Sequence, residues 1–394
     1  MSNLKYLNKF LWKYRRSLLI GSIFILIANL FALYPAEFVR KAFDYVNNNR
    51  IAGTEASSEI YYNLLKYSGL IISFALLKGI FMFFMRQTII VMSRRIEFDL
   101  KNEIYQQYQN LSISFYKKNK TGDLMNRISE DVSRVRMYLG PALMYAINIS
   151  ILFYLVISKM LSISCILTLY VLIPLPILAL LIYFVSTSIN KRSEKVQEQL
   201  SQITTITQET FSGIKIIKSF RNERSSLDIF LDSCKNYTKK QIKLVKIEAV
   251  FYPLIVTMIG MSTIFTIYIG GSESFKGNIT TGNIAEFIIY VNMLAWPVAS
   301  VGWITSIIQR AAASQKRINN FLLLHPEIIN NCKHKTIIKG DINFENVSFT
   351  YDDTKIKAID DISFSIKEGS TLGIFGKTGS GKSTIANLLC KIGR

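Results

Sequence analysis

Long apolar segments alternate with polar segments along most of the chain, and the length of the apolar ones indicates its class. Because the hydrocarbon core of a bilayer is about 30 Å thick, a helix needs about 20 apolar residues to cross it. Six segments meet this requirement, and the pattern therefore predicts six transmembrane helices. Their approximate bounds are residues 17–37, 66–92, 139–159, 161–187, 249–271 and 283–308.

The polar segments after the second and fourth spans, residues 93–138 and 188–248, are long and rich in Lys and Arg. They also carry apolar residues at helical spacing and no proline, which predicts that the spans continue as helices with a short turn at each tip. Basic loops remain on the cytoplasmic side, so both loops and both termini are predicted to be cytoplasmic. About 25 polar residues after Arg40 predict the one sizeable outer loop.

Two local features refine this picture. Spans three and four are separated only by a tight turn near Lys159, and Pro174 and Pro176 lie inside span four, where a membrane helix tolerates a kink. The first apolar segment is too long for a signal peptide. Residues 1–16 are basic and amphipathic, which predicts a helix lying along the inner membrane surface.

Composition agrees with a membrane protein and argues against nucleic acid as a partner. Half of the 394 residues are apolar, the mean hydropathy is +0.26, and 47 Lys and Arg against 27 Asp and Glu give a net charge of +20. A soluble chain of this charge would suggest nucleic acid, whereas here the cations match cytoplasmic loops that face anionic lipid. The four cysteines show no spacing typical of zinc or of a disulfide framework.

The pattern changes after residue 325. Residues 326–340 are predicted to form a linker, and residues 341–394 combine strand-like alternation, a short apolar strand at 371–375 and a final helix. The predicted fold class is an α-helical polytopic membrane domain, 17–325, followed by a truncated α/β P-loop fragment, 341–394.

A glycine-rich segment between the last strand and helix matches the P-loop pattern GxxxxGKS. Glycines allow backbone N–H groups to surround phosphate oxygens, and the following helix N-terminus favours negative charge. Lysine then reaches the outer phosphates and serine ligates Mg²⁺. The predicted cofactors are ATP and Mg²⁺, with Ser383 as the metal ligand. The predicted nucleotide-binding residues are Gly376, Lys377, Thr378, Gly379, Ser380, Gly381, Lys382, Ser383 and Thr384.

Three further residues are candidates with two interpretations each. Tyr351 is either a strand aromatic packed on a core or a platform that stacks on adenine, and spacing alone does not decide. Lys78 and Arg86 lie within span two, where a cation is costly and tends to face a cavity or a partner. They either bind an anionic head group in a central cavity or serve structurally, with Arg86 extending to the membrane surface.

Four stretches carry a resemblance that covers essentially the whole chain. The chain resembles the ABC exporters in which six membrane helices precede a fused nucleotide-binding domain, and particularly the group of bacterial lipid-A or phospholipid flippases and multidrug exporters. The stretches are SFYKKNKTGDLMNRISEDVSRVR (114–136), ETFSGIKIIKSFRNE (209–223), GNITTGNIAEFIIYVNMLAWPV (277–298), and FENVSFTY (344–351) followed by the P-loop.

This resemblance implies an ATP-driven half-transporter in a bacterial inner membrane. It would pair with a second half-transporter as a homodimer or heterodimer and export or flip an amphipathic lipid or hydrophobic compound. Residues near 113–121 and 209–217 would be coupling helices that dock on ATP-binding domains, and Tyr351 would stack on adenine.

The same resemblance raises doubt about catalysis by this chain. The sequence has no match to the family's Walker B aspartate and glutamate, signature, or switch histidine, so no catalytic residue is assigned and enzyme activity stays undecided. We expect that the chain alone binds ATP poorly and does not hydrolyse it. The alternative function is a truncated, non-catalytic membrane subunit or a decayed gene product.

Overall fold

The computed structural model describes residues 2–51, 58–326, 340–351 and 354–390. Helices dominate it, and six helical runs are long and apolar enough to cross a membrane, which confirms the predicted number of spans. A short 3₁₀ helix, Ser2–Leu7, leads into α1, Asn8–Lys13, and the spans follow.

The first two spans are longer than the apolar segments that predict them. Helix α2 runs from Arg15 to Ile51 and α3 from Ser58 to Asn110. The predicted outer loop after Arg40 is therefore wrong for all but residues 52–57, which lie outside the described residues. Its polar residues simply continue the helix, since a helix needs no apolar residues once it leaves the hydrocarbon core.

The third span is helical from Thr121 to Ile163 but contains two π-helical segments. A π-helical turn accommodates one extra residue and occurs mostly as a short bulge inside an α-helix. These insertions divide the run, and apolar periodicity alone does not predict them. Its parts are α5 (Thr121–Asn126), π-helix Arg127–Asp131, α6 (Val132–Met137), π-helix Tyr138–Ala142 and α7 (Leu143–Ile163); α4 (Ile113–Lys118) precedes it.

The fourth span begins after a tight turn at Ser164, whose hydroxyl accepts a hydrogen bond from the Leu167 N–H at 3.3 Å. This N-cap satisfies one of the free N–H groups at the start of α8, Cys165–Leu172. The span is interrupted at Ile173, and α9, Pro174–Ser212, begins at proline, which lacks the N–H needed to continue the ladder. The ladder is thus interrupted next to the prolines, while Ile173 itself keeps helical φ and ψ angles of −52° and −44°.

The remaining helices complete the two long arms. The tip of the second arm is α10, Ile214–Ser219, and the fifth span, α11, is one helix of 53 residues, Glu223–Phe275. The sixth, α12, is Thr281–Leu322. Helices α4 and α10 lie where the resemblance places coupling helices.

By internal contacts the chain divides into two units. The first comprises residues 1–8, 95–136 and 311–394, and the second residues 9–94 and 137–310. In the second unit the main hydrophobic cluster joins α2, α7, α8, α9 and α12, with Phe287 and Tyr290 fully buried. In the most apolar 18-residue stretch of α12, 44% of the residues are buried, whereas the corresponding stretch of α3 has only 6% buried. This exposure of α3 is expected for a span that faces lipid or a partner.

In the first unit, residues of α3 to α6 pack against the end of α12. Phe321 is 1% exposed, with its ring centroid 4.7 Å from that of Tyr108 and 6.1 Å from that of Phe115. The Gln107 side-chain amide donates to the Leu324 carbonyl at 2.6 Å. The end of the last membrane helix is thus anchored directly to the first long loop.

The same unit contains a two-stranded antiparallel sheet of β1, Ile342–Thr350, and β2, Lys357–Ile366. Phe344 faces Phe364, with stacked rings 4.5 Å apart between centroids. The register shifts between Phe344 and Val347, as it does at a β-bulge. Helix α13, Lys382–Leu389, follows. The predicted linker, apart from Pro326 and Gly340, lies outside the described residues.

Candidate nucleotide-binding loop and membrane cavities

The glycines of the P-loop occupy positions that require glycine. Gly379 and Gly381 have φ angles of 85° and 83°, in the left-handed region where a side chain is strained. A Cβ on Gly381 would also collide with the Ala358 carbonyl oxygen of β2, and a Cβ on Gly376 would lie 2.7 Å from the Ser380 hydroxyl. The loop therefore closes tightly on itself, as a phosphate-binding loop must.

The Lys382 ammonium is directed into this loop. It donates hydrogen bonds to the carbonyl oxygens of Gly376 at 2.9 Å and Lys377 at 2.6 Å, and to the Ser380 hydroxyl at 3.3 Å. These acceptors hold the charge at the centre of the loop, where a phosphate oxygen would replace them. Ser383, the predicted Mg²⁺ ligand, is exposed at the first turn of α13. Both side chains therefore fit the predicted chemistry.

Tyr351 and Thr384, two further predicted nucleotide-binding residues, contact each other. Their hydroxyl groups lie 3.1 Å apart, and Thr384 is 6% exposed. The Tyr351 ring packs edge-to-face on Phe349 at 5.0 Å, and the Lys117 ammonium lies 5.9 Å from its centroid. The ring thus packs on neighbours and also meets a cation of α4, so the geometry leaves both interpretations of Tyr351 open.

Residues 371–375 are not a strand, so this part of the prediction is wrong. The described residues contain one sheet, of two strands, and this segment forms no ladder with it. Leu372 is 46% and Phe375 94% exposed. A central strand of a parallel sheet depends on neighbours on both sides, and without them its apolar residues have nothing to pack against.

Two cavities lie between membrane helices of the second unit. The first has a volume of about 600 Å³ and the second about 650 Å³. Both are mostly apolar, and they share a few small or polar residues on α9 and α12. This is the composition expected of a site for an apolar or amphipathic molecule. The shared lining residues are Ile182, Ser186, Asn190, Gly302 and Ser306.

Aromatic side chains line the second cavity. Tyr145, Trp296 and Trp303 all contribute to its wall, and the rings of Tyr145 and Trp303 meet edge-to-face at 5.6 Å. Aromatic walls offer large apolar area with little conformational entropy to lose. Trp303 is 44% and Trp296 70% exposed, so the cavity is open at this side.

The two cations of span two do not share a site. The exposed Arg86 guanidinium lies 3.5 Å from the Tyr145 hydroxyl, at the edge of the second cavity. Lys78 lines neither cavity, and the described residues provide no ion pair or hydrogen bond for it. The described residues therefore give the two cations no common contact, and their role in binding a head group stays a prediction.

Two charged groups outside the predicted nucleotide- and substrate-binding residues are more deeply placed. Asp131, in a π-helical segment, is 4% exposed and accepts two hydrogen bonds from the Arg317 guanidinium, the one from Nε at 2.9 Å. This contact raises the pKa of Arg317 further above its ordinary value. Glu286 of α12 is 2% exposed. An acid inside an apolar segment was the only sequence signal for Glu286.

Comparison with known proteins agrees with these features. Residues 18–298 match the family described as ABC transporter transmembrane region, and residues 359–393 match the family described as ABC transporter. The chain is 28% identical over 394 residues to a probable multidrug resistance ABC transporter ATP-binding/permease protein of Bacillus subtilis, covering 99% of this chain and 66% of that protein.

Two further relatives carry different names. A multidrug resistance-like ATP-binding protein of Escherichia coli is 30% identical over 298 residues, covering 75% of this chain and 50% of the relative. An ATP-dependent lipid A-core flippase of Pseudomonas fluorescens is 27% identical over 291 residues, with 74% and 48% covered. The chain thus spans between about half and two thirds of the length of these relatives.

Proposed function

The chain belongs to the ABC transporter family through its transmembrane region, and on that basis we propose that it is the membrane half of an ATP-driven exporter. It would move an amphipathic lipid or hydrophobic compound across a bacterial inner membrane. The observation that carries this proposal is the pair of largely apolar cavities between α7, α9, α11 and α12. Such cavities within membrane helices suit a ligand that enters from lipid rather than a hydrophilic solute.

The P-loop supplies the energy-coupling part of the proposal. Lys382 would exchange its contacts with the loop carbonyls for the β- and γ-phosphates of ATP, while the N–H groups at the start of α13 face the phosphate oxygens. The Ser383 hydroxyl would ligate Mg²⁺, which neutralises phosphate charge. Tyr351 would stack on adenine, and the Lys117 ammonium lies 5.9 Å from the centroid of its ring.

The membrane placement follows the charge distribution. The basic arms after α3 and α9, and both termini, would lie in the cytoplasm. Residues 1–16 would lie along the inner surface, which agrees with buried Phe10 and exposed Trp12 in this segment. Residues 17–325 would form the membrane domain, 326–340 a linker and 341–394 part of a nucleotide-binding domain.

A second half-transporter, identical or different, is the proposed partner. The apolar faces of α3 and α11, with Leu65, Leu76 and Tyr252 at least 64% exposed, offer surface for it as well as for lipid. Native mass spectrometry of the chain in detergent would support this proposal by a species of twice the monomer mass.

Binding to the cavity can be tested by tryptophan fluorescence in lipid nanodiscs. The chain has three tryptophans, two of which line the second cavity and one of which is Trp12. An amphipathic dye that absorbs tryptophan emission should strongly quench the fluorescence of the Trp12→Phe variant, whose two tryptophans line the cavity. It should only weakly quench the fluorescence of the matched Trp296→Phe/Trp303→Phe variant, because the remaining Trp12 does not line the cavity. Equal quenching of both variants would show that the dye merely enters the lipid.

Transport is tested with inside-out membrane vesicles that contain the full chain together with a second half-transporter whose ATP-binding domain is complete, since the chain alone is not expected to hydrolyse ATP. ATP-dependent uptake of the dye should be lost in Lys382→Ala, which removes the loop cation, and kept in Lys367→Ala, which removes an exposed cation of the preceding turn. Uptake by Lys382→Ala equal to that of the unmodified chain would refute an ATP-driven role.

A non-catalytic membrane subunit is the second candidate function. One observation favours it: the apolar side chains of residues 371–375 lack a sheet to pack in among the described residues. In that case the dye would bind in nanodiscs, whereas vesicle uptake would show no dependence on ATP.

A further inference from the structure

A third, highly polar cavity of about 330 Å³ lies in the second unit, away from the two apolar cavities. Its wall combines two carboxylates, Glu37 and Glu286, with two cations, Arg40 and Lys159. These come from α2, α7 and α12, so three separate membrane helices contribute charges to one small space. Concentrated charge of both signs inside a membrane protein is costly and typically marks a functional site.

The charges within this polar cavity are only partly compensated. Glu286 is 2% exposed; its Oε1 accepts a hydrogen bond from the Tyr290 hydroxyl at 2.7 Å. Its Oε2 lies 3.4 Å from Arg40 Nε but receives no hydrogen bond. A buried carboxylate oxygen without a donor leaves binding capacity unused, since such atoms are nearly always hydrogen-bonded. The geometry therefore leaves room for a donor from a ligand.

Of the two cations in the polar cavity, Lys159 is available to a ligand and Arg40 is not. Arg40 lies 3.4 Å from Glu286 and 3.9 Å from Glu37, and Glu37 also pairs with Lys41 at 2.9 Å. Lys159, by contrast, is exposed, and the described part of the chain offers it no ion pair or hydrogen bond. Its charge nevertheless acts on both carboxylates. The cavity thus presents one free acceptor and one free ammonium group.

The depth of the polar cavity in the bilayer indicates what kind of molecule could bind there. Glu37 ends the first apolar segment, Lys159 ends the third, and Glu286 lies in the first turn of the sixth. All three mark the point where the apolar segments end, which is the level of the lipid head groups. A ligand at this level with an amine donor and an anionic oxygen matches both free groups.

We propose that this polar cavity binds a phosphoethanolamine-type zwitterion, with its ammonium at Glu286 and its phosphate at Lys159. The head group of phosphatidylethanolamine is one source of this chemistry and free phosphoethanolamine is another. A volume of about 330 Å³ accommodates such a group but not a large amphipathic molecule. The site is therefore distinct from the proposed transport cavities, and it rests on the membrane placement rather than on ATP-driven transport.

The ligand class is tested by native mass spectrometry of the purified full chain with short-chain lipids. Phosphatidylethanolamine should be retained at least about tenfold more tightly than phosphatidylglycerol, which lacks the ammonium, or phosphatidylcholine, whose ammonium cannot donate. Equal retention of the three lipids would overturn the proposal.

Variants locate the site. Glu286→Gln, which keeps the side-chain volume, should remove the preference for phosphatidylethanolamine. Lys159→Gln, a change at an exposed residue that should leave folding intact, should weaken the binding of phosphatidylethanolamine about tenfold. The matched control is Lys276→Gln, an exposed cation that pairs with Glu273 at 2.9 Å and does not line the cavity. Loss of binding in the control equal to that in Lys159→Gln would overturn the assignment.

Competition separates the two sources. If free phosphoethanolamine displaces the lipid at similar concentration, the cavity takes the soluble zwitterion; if it does not, the lipid is the ligand, and both results support the shared chemistry. Failure of both compounds to bind refutes the site while leaving dye binding and ATP-dependent uptake unaffected, so this test is independent of the transport proposal.

Discussion

The ion pair between Asp131 and Arg317 allows a quantitative prediction, because its two partners differ in burial. The Asp131 side chain is 6% exposed and the Arg317 side chain 49%. Replacing Arg317 by Gln leaves a buried carboxylate with its charge uncompensated, which typically costs 3–5 kcal/mol. Since about half of the Arg317 side chain is exposed, water has access to this position and can replace part of the lost interaction, so we expect a cost of about 3 kcal/mol.

Hydrogen exchange measured by mass spectrometry in nanodiscs reports this local cost. A loss of about 3 kcal/mol corresponds to roughly 10²-fold faster exchange of the amides in residues 121–137 and 311–322, if they exchange through local opening. The double variant Asp131→Asn/Arg317→Gln removes the charge as well as its partner, and its exchange should return most of the way to that of the unmodified protein.

The matched control is Arg134→Gln, one turn along the same helical run. Arg134 pairs with Glu130 at 3.1 Å, with both side chains exposed, 43% and 60%. An exposed pair at this spacing contributes only about 0.3–0.5 kcal/mol, so exchange should rise by roughly twofold. If Arg317→Gln accelerates exchange no more than Arg134→Gln, or if the double variant is as fast as the single one, burial does not govern the energy of this pair.

Three further changes follow from the packing of particular residues. Gly140→Val should destabilise the protein and lower its thermal midpoint, since even a Cβ at this position would lie 2.6 Å from the Ser93 hydroxyl of α3, whereas Gly79→Val, with open space around it, should have little effect. Gly381→Ala should lower nucleotide binding at least as much as Lys382→Ala in a photo-crosslinking assay, because its φ of 83° and the Ala358 carbonyl both exclude a methyl group, and unchanged binding would contradict the loop geometry. Burial raises the pKa of the Tyr108 phenol to about 12, so the folded state holds this proton more tightly than the unfolded state. The contribution of Tyr108 to the free energy of unfolding should be fully present below about pH 10 and fall as the pH rises toward 12. In Tyr108→Phe, the free energy of unfolding should fall less steeply over this range.

The spans were predictable from the sequence because the thickness of the bilayer imposes their length. What the sequence did not predict depends on contacts between distant residues. The π-helical segment that carries Asp131 contacts Arg317 of α12, 186 residues away, and no local pattern predicts either the segment or the contact. The extension of α2 to Ile51 was missed because polar residues after Arg40 resemble a loop as much as a solvated helix.

The candidate sites show the same division. The P-loop was identified because its chemistry requires particular residues at fixed spacing, and the positive φ angles of Gly379 and Gly381 agree with it. Lys78 and Arg86 were grouped because they share one helix, and of the two only Arg86 has a described contact with another helix, at the Tyr145 hydroxyl. The polar cavity around Glu286 was missed because its charges come from three helices that are distant in sequence.

The interruption of the fourth span at Ile173 has a consequence for the first membrane cavity. Leu172, before the break, and Pro176, after it, both line that cavity. Since Pro174 and Pro176 have no N–H, fewer hydrogen bonds cross this point, and a change of angle between α8 and α9 costs less here than in an uninterrupted helix. We therefore expect this wall of the cavity to adjust more readily than the others to molecules of different bulk.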